Sequence, residues 1–253
     1  MEINQEMHLE KVNKFNAEGY LIHRKFYDVQ MIKNILDEVM LSHHETVRLL
    51  QERLASGAAN PGDLAIEAGN LKYLKNADLY FPSVKKLADS NLNALVSSLL
   101  ADNVFLDAIE LHQKYPGGSI TPPHQDNFYF CLKDAKSLTA YIPLNRQSEE
   151  NGALAVVPRS HKSDLDHFPS DVIGFSSGVQ LNEEQRAEIN HYALEDGDLS
   201  IHHCNIVHLA PANISDVPRV NIAIRYRAVG ETKDPVRVEK YTSFLAKSVR
   251  VTG

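Results

Sequence analysis

His124 and Asp126 place an imidazole and a carboxylate one residue apart in the segment 121–130. If this segment is extended, side chains two residues apart project to the same side, and both groups would point into one cavity. Two such ligands and one further histidine, with coordination positions left open, form a site suited to non-haem Fe(II) chemistry. Because His-x-Asp also occurs by chance on polar strand edges, the metal hypothesis needs a third ligand.

Three histidines further along the chain could supply that ligand, namely His202, His203 and His208. His202 and His203 are adjacent, so on a strand they face opposite sides and at most one of them shares the cavity. His208 follows an apolar pair, where a strand would re-emerge at the mouth of a barrel. Periodicity alone does not choose among the three.

Arg219 follows His208 by eleven residues and opens the apolar strand 220–226. An arginine entering such a strand either points to solvent or holds a carboxylate in a two-pronged grip. Arg225 and Arg227 lie on the same face by parity and are rivals for that role.

The order and spacing of these residues resemble the phytanoyl-CoA dioxygenase family. The residues that carry the resemblance are His124-Gln125-Asp126, Asn151-Gly152-Ala153-Leu154, Val157-Pro158-Arg159-Ser160-His161, Gly197-Asp198, His208, Asn213, Ser215 and Arg219. The family pattern is His-x-Asp, a distal histidine and an arginine eleven residues later. The resemblance extends from about Phe15 to Tyr226 and so covers most of the chain.

The resemblance implies an Fe(II)- and 2-oxoglutarate-dependent oxygenase that also uses O2. It assigns iron ligation to His124, Asp126 and His208. It assigns the distal carboxylate of 2-oxoglutarate to Arg219, and the wall beside this co-substrate to Tyr141 and Thr139. Leu209-Ala210-Pro211 replaces the Gly-Ser-Gly-like segment common after the distal histidine, so a hydroxyl that could touch the co-substrate is missing. Pro158-Arg159-Ser160-His161 likewise departs from a Pro-Gly-Ser-His turn.

The implied reaction is hydroxylation of a C–H bond in a small-molecule metabolite or natural-product intermediate, with release of succinate and CO2. Asp126 favours this outcome, because halogenating relatives replace this carboxylate by a small residue. Gln113, Tyr115, Phe128 and Tyr129 are candidates for the substrate wall, and the aromatic residues among them could equally belong to the β core. An acyl-CoA substrate would need cations for its phosphates, for which the available residues are Lys72, Lys75, Lys85 and Lys86, although lysine runs are usually solvated surface.

Other functions stay open at this point. A relative that binds metal but has lost turnover, an acyl-CoA hydroxylase and a β-sandwich interaction protein with incidental histidines are all compatible with the residues. The same three ligands could also hold zinc in a hydrolase.

The composition limits the classes of protein to which this chain could belong. The chain has 253 residues, is 43% hydrophobic and carries a formal net charge of −7, which gives no support to nucleic-acid binding. Its two cysteines, Cys131 and Cys204, do not form a disulfide framework and fit a reducing compartment. The N-terminus lacks a signal-peptide pattern, and no apolar run is long enough to cross a bilayer. We therefore expect a cytoplasmic protein with neither a nucleic-acid nor a membrane partner.

The elements that position these residues change character along the chain. Apolar spacing predicts helices over 6–17, 29–55 and 83–100, and a short strand over 20–22. From residue 103 onward, short apolar or alternating runs separated by Gly, Pro and Asn turns predict a β-sandwich or barrel. The predicted strands are 104–111, 128–132, 137–143, 154–157, 199–201 and 220–227.

One domain over 1–253 is the simplest organisation. We expect a mainly helical layer over 1–102, a core over 103–228 and a C-terminal extension over 229–253. The predicted fold class is mainly β with flanking helices, and the family resemblance makes the core a double-stranded β-helix, the jelly-roll of cupin-like proteins. The loops 57–83 and 228–253 are predicted lids.

Overall fold

The structure is a computed structural model that describes residues 2–249. Met1 and residues 250–253, the end of the predicted C-terminal extension, lie outside the described residues. The helices are α1 (Glu2–Glu18), α2 (Val29–Leu41), α3 (His43–Ala55), α4 (Ser90–Leu100), α5 (Asn127–Phe130), α6 (Glu183–Ala187) and α7 (Pro235–Val249). The strands are β1 (Tyr20–His23), β2 (Leu64–Glu67), β3 (Asn70–Lys75), β4 (Val104–Lys114), β5 (Thr121–His124), β6 (Ser137–Pro143), β7 (Ala155–Val157), β8 (His167–Pro169), β9 (Ser177–Val179), β10 (Asn190–His191), β11 (Leu199–His203), β12 (Val207–Ala210) and β13 (Arg219–Ala228).

Two antiparallel sheets form the centre of the molecule. The larger sheet has seven strands in the order β1-β11-β6-β13-β4-β3-β2, and the smaller has four in the order β10-β7-β12-β5. Strands β8 and β9 form a separate hairpin. With helices packed on the larger sheet, this arrangement confirms the predicted mainly-β class with flanking helices.

Alternation along β13 separates the hydrophobic core from the functional side of the larger sheet. Val220, Ile222 and Ile224 are fully buried and belong to the main core, which also includes residues of α2 and α4. Each such side chain stabilises the fold by about 1.5–3 kcal/mol relative to an exposed one. The residues of the other parity on this part of β13, including Arg219 and Arg225, therefore project from the opposite face.

The N-terminal region differs in three ways from the sequence prediction. The helix predicted over 83–100 is divided into a 3-10 helix over Pro82–Leu87 and the separate helix α4. The helix predicted over 29–55 is interrupted at Ser42, which ends α2 and immediately precedes α3. The predicted loop 57–83 contains β2 and β3, which extend the larger sheet beyond β4. Turn residues such as Asn60, Pro61 and Gly62 indicated the break correctly but carried no signal for the strands that follow.

Candidate metal centre

Three side chains converge between the sheets in an arrangement that could hold a metal ion. His124 at the end of β5 and His208 on β12 are directly paired across the smaller sheet, and their ring centroids are 4.1 Å apart. Asp126 Oδ1 lies 3.6 Å from His124 Nε2 and 3.7 Å from His208 Nε2. One ligand atom from each of the three residues lies within 4.8 Å of the others.

The backbone at Asp126 differs from the extended conformation predicted for this segment. Strand β5 ends at His124, and Asp126 is helical, with φ −57° and ψ −36°, immediately before α5. The predicted strand 128–132 is therefore wrong over Phe128 to Phe130, which lie in α5. Asn127 holds this turn, because its side chain accepts from the Leu132 N–H and donates to the Leu132 carbonyl.

The two histidine rings are oriented by backbone carbonyls. His124 Nδ1 lies 2.8 Å from the Pro122 carbonyl oxygen, and His208 Nδ1 lies 3.2 Å from that of Ile206. A proton on each Nδ1 is donated to the carbonyl, which leaves each Nε2 with a free lone pair toward Asp126. This is the tautomer that a metal ion requires.

The charge states at this site also fit metal ligation. Burial by itself raises the pKa of Asp126, but the neighbouring His208, His124 and His202 rings hold it well below its usual value. Burial, followed by the nearby His124, lowers the pKa of His208 well below its usual value. The site thus combines an ionised carboxylate with a neutral imidazole at His208.

His202 and His203 occupy opposite sides of β11, which confirms the predicted alternation. His203 packs with His161 and Phe15, away from the cluster. His202 faces the cluster, with Nε2 3.8 Å from Asp126 Oδ2, and neither of its ring nitrogens has a hydrogen-bond partner within residues 2–249. His202 is thus a fourth polar group beside the three converging residues.

A cationic region lies at one end of the cavity. Arg219 is buried, donates from Nη1 to Tyr141 Oη at 2.9 Å, and has a buried Nε without a partner among the described residues. Its register partner on β4 is Lys114, whose Nζ donates to the Pro211 carbonyl. Burial, with Arg219 and Lys72 nearby, lowers the pKa of Lys114 to about 6. Arg219, Lys114 and Lys72 all line this end of the cavity.

The rival arginines have different surroundings. Arg225 forms ion pairs with Asp107 and Glu110, and Arg227 forms one with Asp107. In the part of the chain that the structure describes, Arg219 has no carboxylate within 4.0 Å. Arg219 is therefore the arginine best prepared for an incoming carboxylate.

A cavity of about 940 Å³ joins the metal-ligand cluster to this cationic end. The predicted site residues that line it are His124, Asp126, His208, Arg219, Tyr141, Thr139, Gln113 and Tyr129. Thr139 Oγ1 donates to Asp126 Oδ2 at 3.4 Å.

Two residues predicted for the substrate wall lie elsewhere. Tyr115 contacts the His43 ring, and Phe128 stacks on His167 at 4.0 Å. Neither is among the described residues that line the cavity. Tyr115 follows the end of β4 and Phe128 lies in α5, so neither belongs to a strand that faces the cavity.

Several cavity residues were not predicted for the site. Glu110 and Lys114 face the cavity from β4. Their place in the site follows from the pairing of β4 with β13, which the sequence alone does not reveal. Phe175, between β8 and β9, and Tyr241, on α7, also line the cavity, and no local pattern marked them. Of the lysines considered for phosphates, Lys72 and Lys75 line it, whereas Lys85 pairs with Asp78 at the surface.

No helix in residues 2–249 is long and apolar enough to cross a membrane.

The two-sheet fold and the His-Asp-His cluster beside a buried arginine are those of a non-haem Fe(II)- and 2-oxoglutarate-dependent dioxygenase. Residues 15–221 match the model of the phytanoyl-CoA dioxygenase (PhyH) family, and the chain belongs to that family. This confirms the family, the enzyme class and the cofactors expected from the sequence.

Known proteins agree with this placement. The chain is 26% identical over 235 residues to a probable alpha-ketoglutarate-dependent hypophosphite dioxygenase of Stutzerimonas stutzeri, covering 88% of this chain and 79% of the relative. It is also 26% identical over 251 residues to an ectoine dioxygenase of Sphingopyxis alaskensis, covering 89% and 78%. The solved structure of the epimerase SnoN, in complex with Fe3+, alpha ketoglutarate and nogalamycin RO, is similar in fold, with a TM-score of 0.69, 21% identity and coverage of 91% and 87%.

Proposed function

We propose that this enzyme hydroxylates a C–H bond of a small molecule at an iron ion held by His124, Asp126 and His208, and converts 2-oxoglutarate and O2 to succinate and CO2. The observation that carries the proposal is the convergence of three ligand atoms within 4.8 Å in a cavity that also contains an arginine without a carboxylate partner. Three protein ligands leave coordination positions open for co-substrates.

The chain's own residues prepare the site for this chemistry. His124 and His208 present Nε2 because their Nδ1 atoms lie against backbone carbonyls. Asp126 contributes a negative charge, and the Thr139 hydroxyl fixes one of its oxygens. When bound, iron couples the oxidative decarboxylation of 2-oxoglutarate to the removal of hydrogen from the substrate carbon. Asp126 occupies the position at which halogenating relatives have a small residue, which supports hydroxylation over halogenation.

Arg219 binds the distal carboxylate of 2-oxoglutarate in this proposal. The Tyr141 hydroxyl accepts from Arg219 and donates to Gln147 Oε1 at 2.5 Å, so the guanidinium is held in place before the co-substrate arrives. Lys114 lies opposite Arg219 on β4 and becomes a second cation when it takes up a proton. A preorganised guanidinium needs little rearrangement when the dianion binds.

We also propose a cytoplasmic location, which is supported by the two unpaired cysteines, Cys131 and Cys204, both buried.

Anaerobic titration of the Fe(II)-loaded protein with 2-oxoglutarate tests the proposal. We expect a weak visible metal-to-ligand charge-transfer band that is lost in His208→Ala. Iron-loaded protein that gives no band would contradict the proposed co-substrate and favour a silent relative. Turnover with zinc and without O2 would instead favour the hydrolase.

A further inference from the structure

A network of opposite charges lies on the cavity wall formed by β4 and β13. Arg225 donates from Nε to Asp107 Oδ2 at 2.7 Å and from Nη1 to Glu110 Oε1 at 3.3 Å. Arg227 donates from Nη2 to Asp107 Oδ1 at 2.9 Å. All four side chains line the same cavity as the proposed iron ligands.

A β-bulge brings these four residues to one face. Arg225 pairs with Ala108 and Tyr226 with Leu106, so Asp107 is the extra residue on β4. The extra residue turns the Asp107 side chain toward the cavity, where it reaches both arginines. Bulges are frequent beside active sites because they redirect a side chain in this way.

The network lies next to the proposed iron site. On β6, the register partner of Arg225 is Thr139, whose hydroxyl donates to Asp126. Ala223 is the preceding residue on this face of β13, and it lines the cavity together with Arg219 and Arg225. A molecule placed there would touch the charge network at one end and lie close to Asp126.

Stability alone does not account for such a network. Ion pairs removed from water are often no more stabilising than apolar residues of similar volume, because desolvation offsets their attraction. The side chains of Glu110 and Arg225 are only 13% and 14% exposed. Binding of a charged ligand is a second reason for keeping these charges on a cavity wall.

Both signs of charge retain unused bonding capacity. Arg227 donates to Asp107 from Nη2, and its Nη1 forms no hydrogen bond among the described side chains. Glu110 directs Oε1 to Tyr73 and Arg225, whereas its Oε2 lies 3.6 Å from His112 Nε2. One guanidinium donor and one carboxylate oxygen thus remain for a ligand that carries both an acceptor and a donor.

Aromatic rings line the cavity around the proposed iron site. Phe175 and Tyr129 lie 5.0 and 5.9 Å from the His124 ring, and Tyr241 is 5.9 Å from Tyr129. Phe130 lies under the Arg225 guanidinium, with its ring centroid 4.3 Å from Cζ. Aromatic faces attract cations, and the carboxylates of the network do the same.

We infer that the substrate is a small zwitterion, with a cationic nitrogen bound by Glu110 and an anionic group bound by Arg227. This inference rests on the proposed function, because it concerns the substrate of the same iron site. An acyl chain against this wall would remove water from the charge network and leave Arg227 Nη1 and Glu110 Oε2 without a hydrogen-bond partner, which is unfavourable. The structure therefore favours a charged metabolite over an acyl-CoA.

Binding measurements with charge-matched probes test the inference. The protein loaded with Fe(II) and 2-oxoglutarate is titrated anaerobically, by calorimetry, with free amino acids, their N-acetyl derivatives and their amides. We expect at least one free amino acid to bind with a Kd below about 10 mM. Loss of either charge should weaken its binding about tenfold or more.

Two variants assign the charges to residues. Glu110→Gln should weaken binding of the free amino acid about tenfold yet leave its N-acetyl derivative unaffected. Arg227→Gln should do the reverse, weakening the N-acetyl derivative but not the amide. Glu195→Gln and Arg146→Gln, from an exposed ion pair, are the matched controls and should change nothing. Asp107→Asn is a second probe of the network if Glu110→Gln does not fold.

The outcomes separate this inference from the proposed function. The charge-transfer band, recorded on the same samples, reports the iron and 2-oxoglutarate site independently of these probes. A normal band with no binding by any free amino acid, or with neutral derivatives binding as tightly as the parents, overturns the zwitterion. Absence of the band overturns the proposed function instead.

Discussion

At the scale of single residues, the site depends on which histidine completes the cluster with His124 and Asp126. His208 presents Nε2 to Asp126 at 3.7 Å, whereas the His202 nitrogens lack hydrogen-bond partners among the described residues and His203 faces away. We expect His208→Ala to abolish stoichiometric iron binding, measured by metal analysis after anaerobic desalting. His203→Ala, the matched control, should keep its iron. Retained iron in His208→Ala together with loss in His202→Ala would reverse the assignment.

The role proposed for Arg219 predicts that its substitution weakens binding of the co-substrate but not of the metal. Arg219→Ala removes charge-assisted hydrogen bonds worth about 1.5–3 kcal/mol each, so the Kd for 2-oxoglutarate should rise roughly 10- to 100-fold. Iron content should stay near normal, because Arg219 bonds to Tyr141 rather than to a proposed ligand. Arg146→Ala, at an exposed ion pair, is the control. If iron binding collapses in Arg219→Ala, the arginine has a structural role.

At the scale of elements, the pairing of β4 with β13 places Lys114 opposite Arg219. We therefore expect the protein to take up a proton when 2-oxoglutarate binds. With a pKa of about 6, Lys114 is mostly neutral at pH 7.5, and a bound dianion would raise that pKa. Calorimetry in buffers of different ionisation enthalpy should show uptake of up to about one proton. Lys114→Met should remove the uptake; an unchanged value would mean that the proton binds elsewhere.

The same lysine affects stability in a defined pH window. Its folded-state pKa is lowered, so between about pH 6 and pH 10 the unfolded chain binds one more proton than the folded one. The free energy of unfolding of the ligand-free protein should therefore rise with pH across that window because of Lys114. Urea titrations should show a flatter dependence in Lys114→Met. A slope unaffected by the substitution would contradict the lowered pKa.

The alternation of β13 gives a stability test that does not involve the site. Ile222 is fully buried on the helix-facing side, so Ile222→Ala should lower the free energy of unfolding by about 2–5 kcal/mol. Ile214 is 81% exposed, and Ile214→Ala should change it by less than about 0.5 kcal/mol. Chemical denaturation measures both, and equal effects would contradict the assigned face.

At the scale of the whole molecule, the sequence identified the ends of the functional strands better than the framework around them. His124, His208 and Arg219 have fixed spacings, because β5, β12 and β13 must deliver them to one place. The sequences of β2 and β3 contain no comparable motif, because what stabilises these strands is pairing with β4, which is distant in sequence. The charge network was also invisible, because it depends on a bulge that pairs Asp107 with residues 118 or more positions away.

Helix α7 is distant in sequence from the proposed iron ligands but contributes to the cavity wall. It lies in the segment 228–253 that was predicted to form a lid. Tyr241 on this helix lines the cavity and contacts Phe128 and Tyr129, while Arg237 anchors the helix to Asp164. A ring in this position excludes water from the cavity, and excluded water protects the oxidising chemistry from side reactions. We therefore expect Tyr241→Ala to increase succinate formation without substrate several-fold while leaving anaerobic 2-oxoglutarate binding unchanged.

Two further variants distinguish a lid from a structural contact. Tyr241→Phe keeps the ring and should behave as wild type, whereas Arg237→Gln loosens the anchor and should give an intermediate increase. Succinate is quantified under O2, and 2-oxoglutarate affinity is taken from the charge-transfer band. If Tyr241→Ala weakens 2-oxoglutarate binding or lowers succinate formation, α7 supports the co-substrate site rather than closing the cavity. Because Tyr129 adjoins both Tyr241 and His124, the helix lies close enough to the metal centre for either result to be measurable.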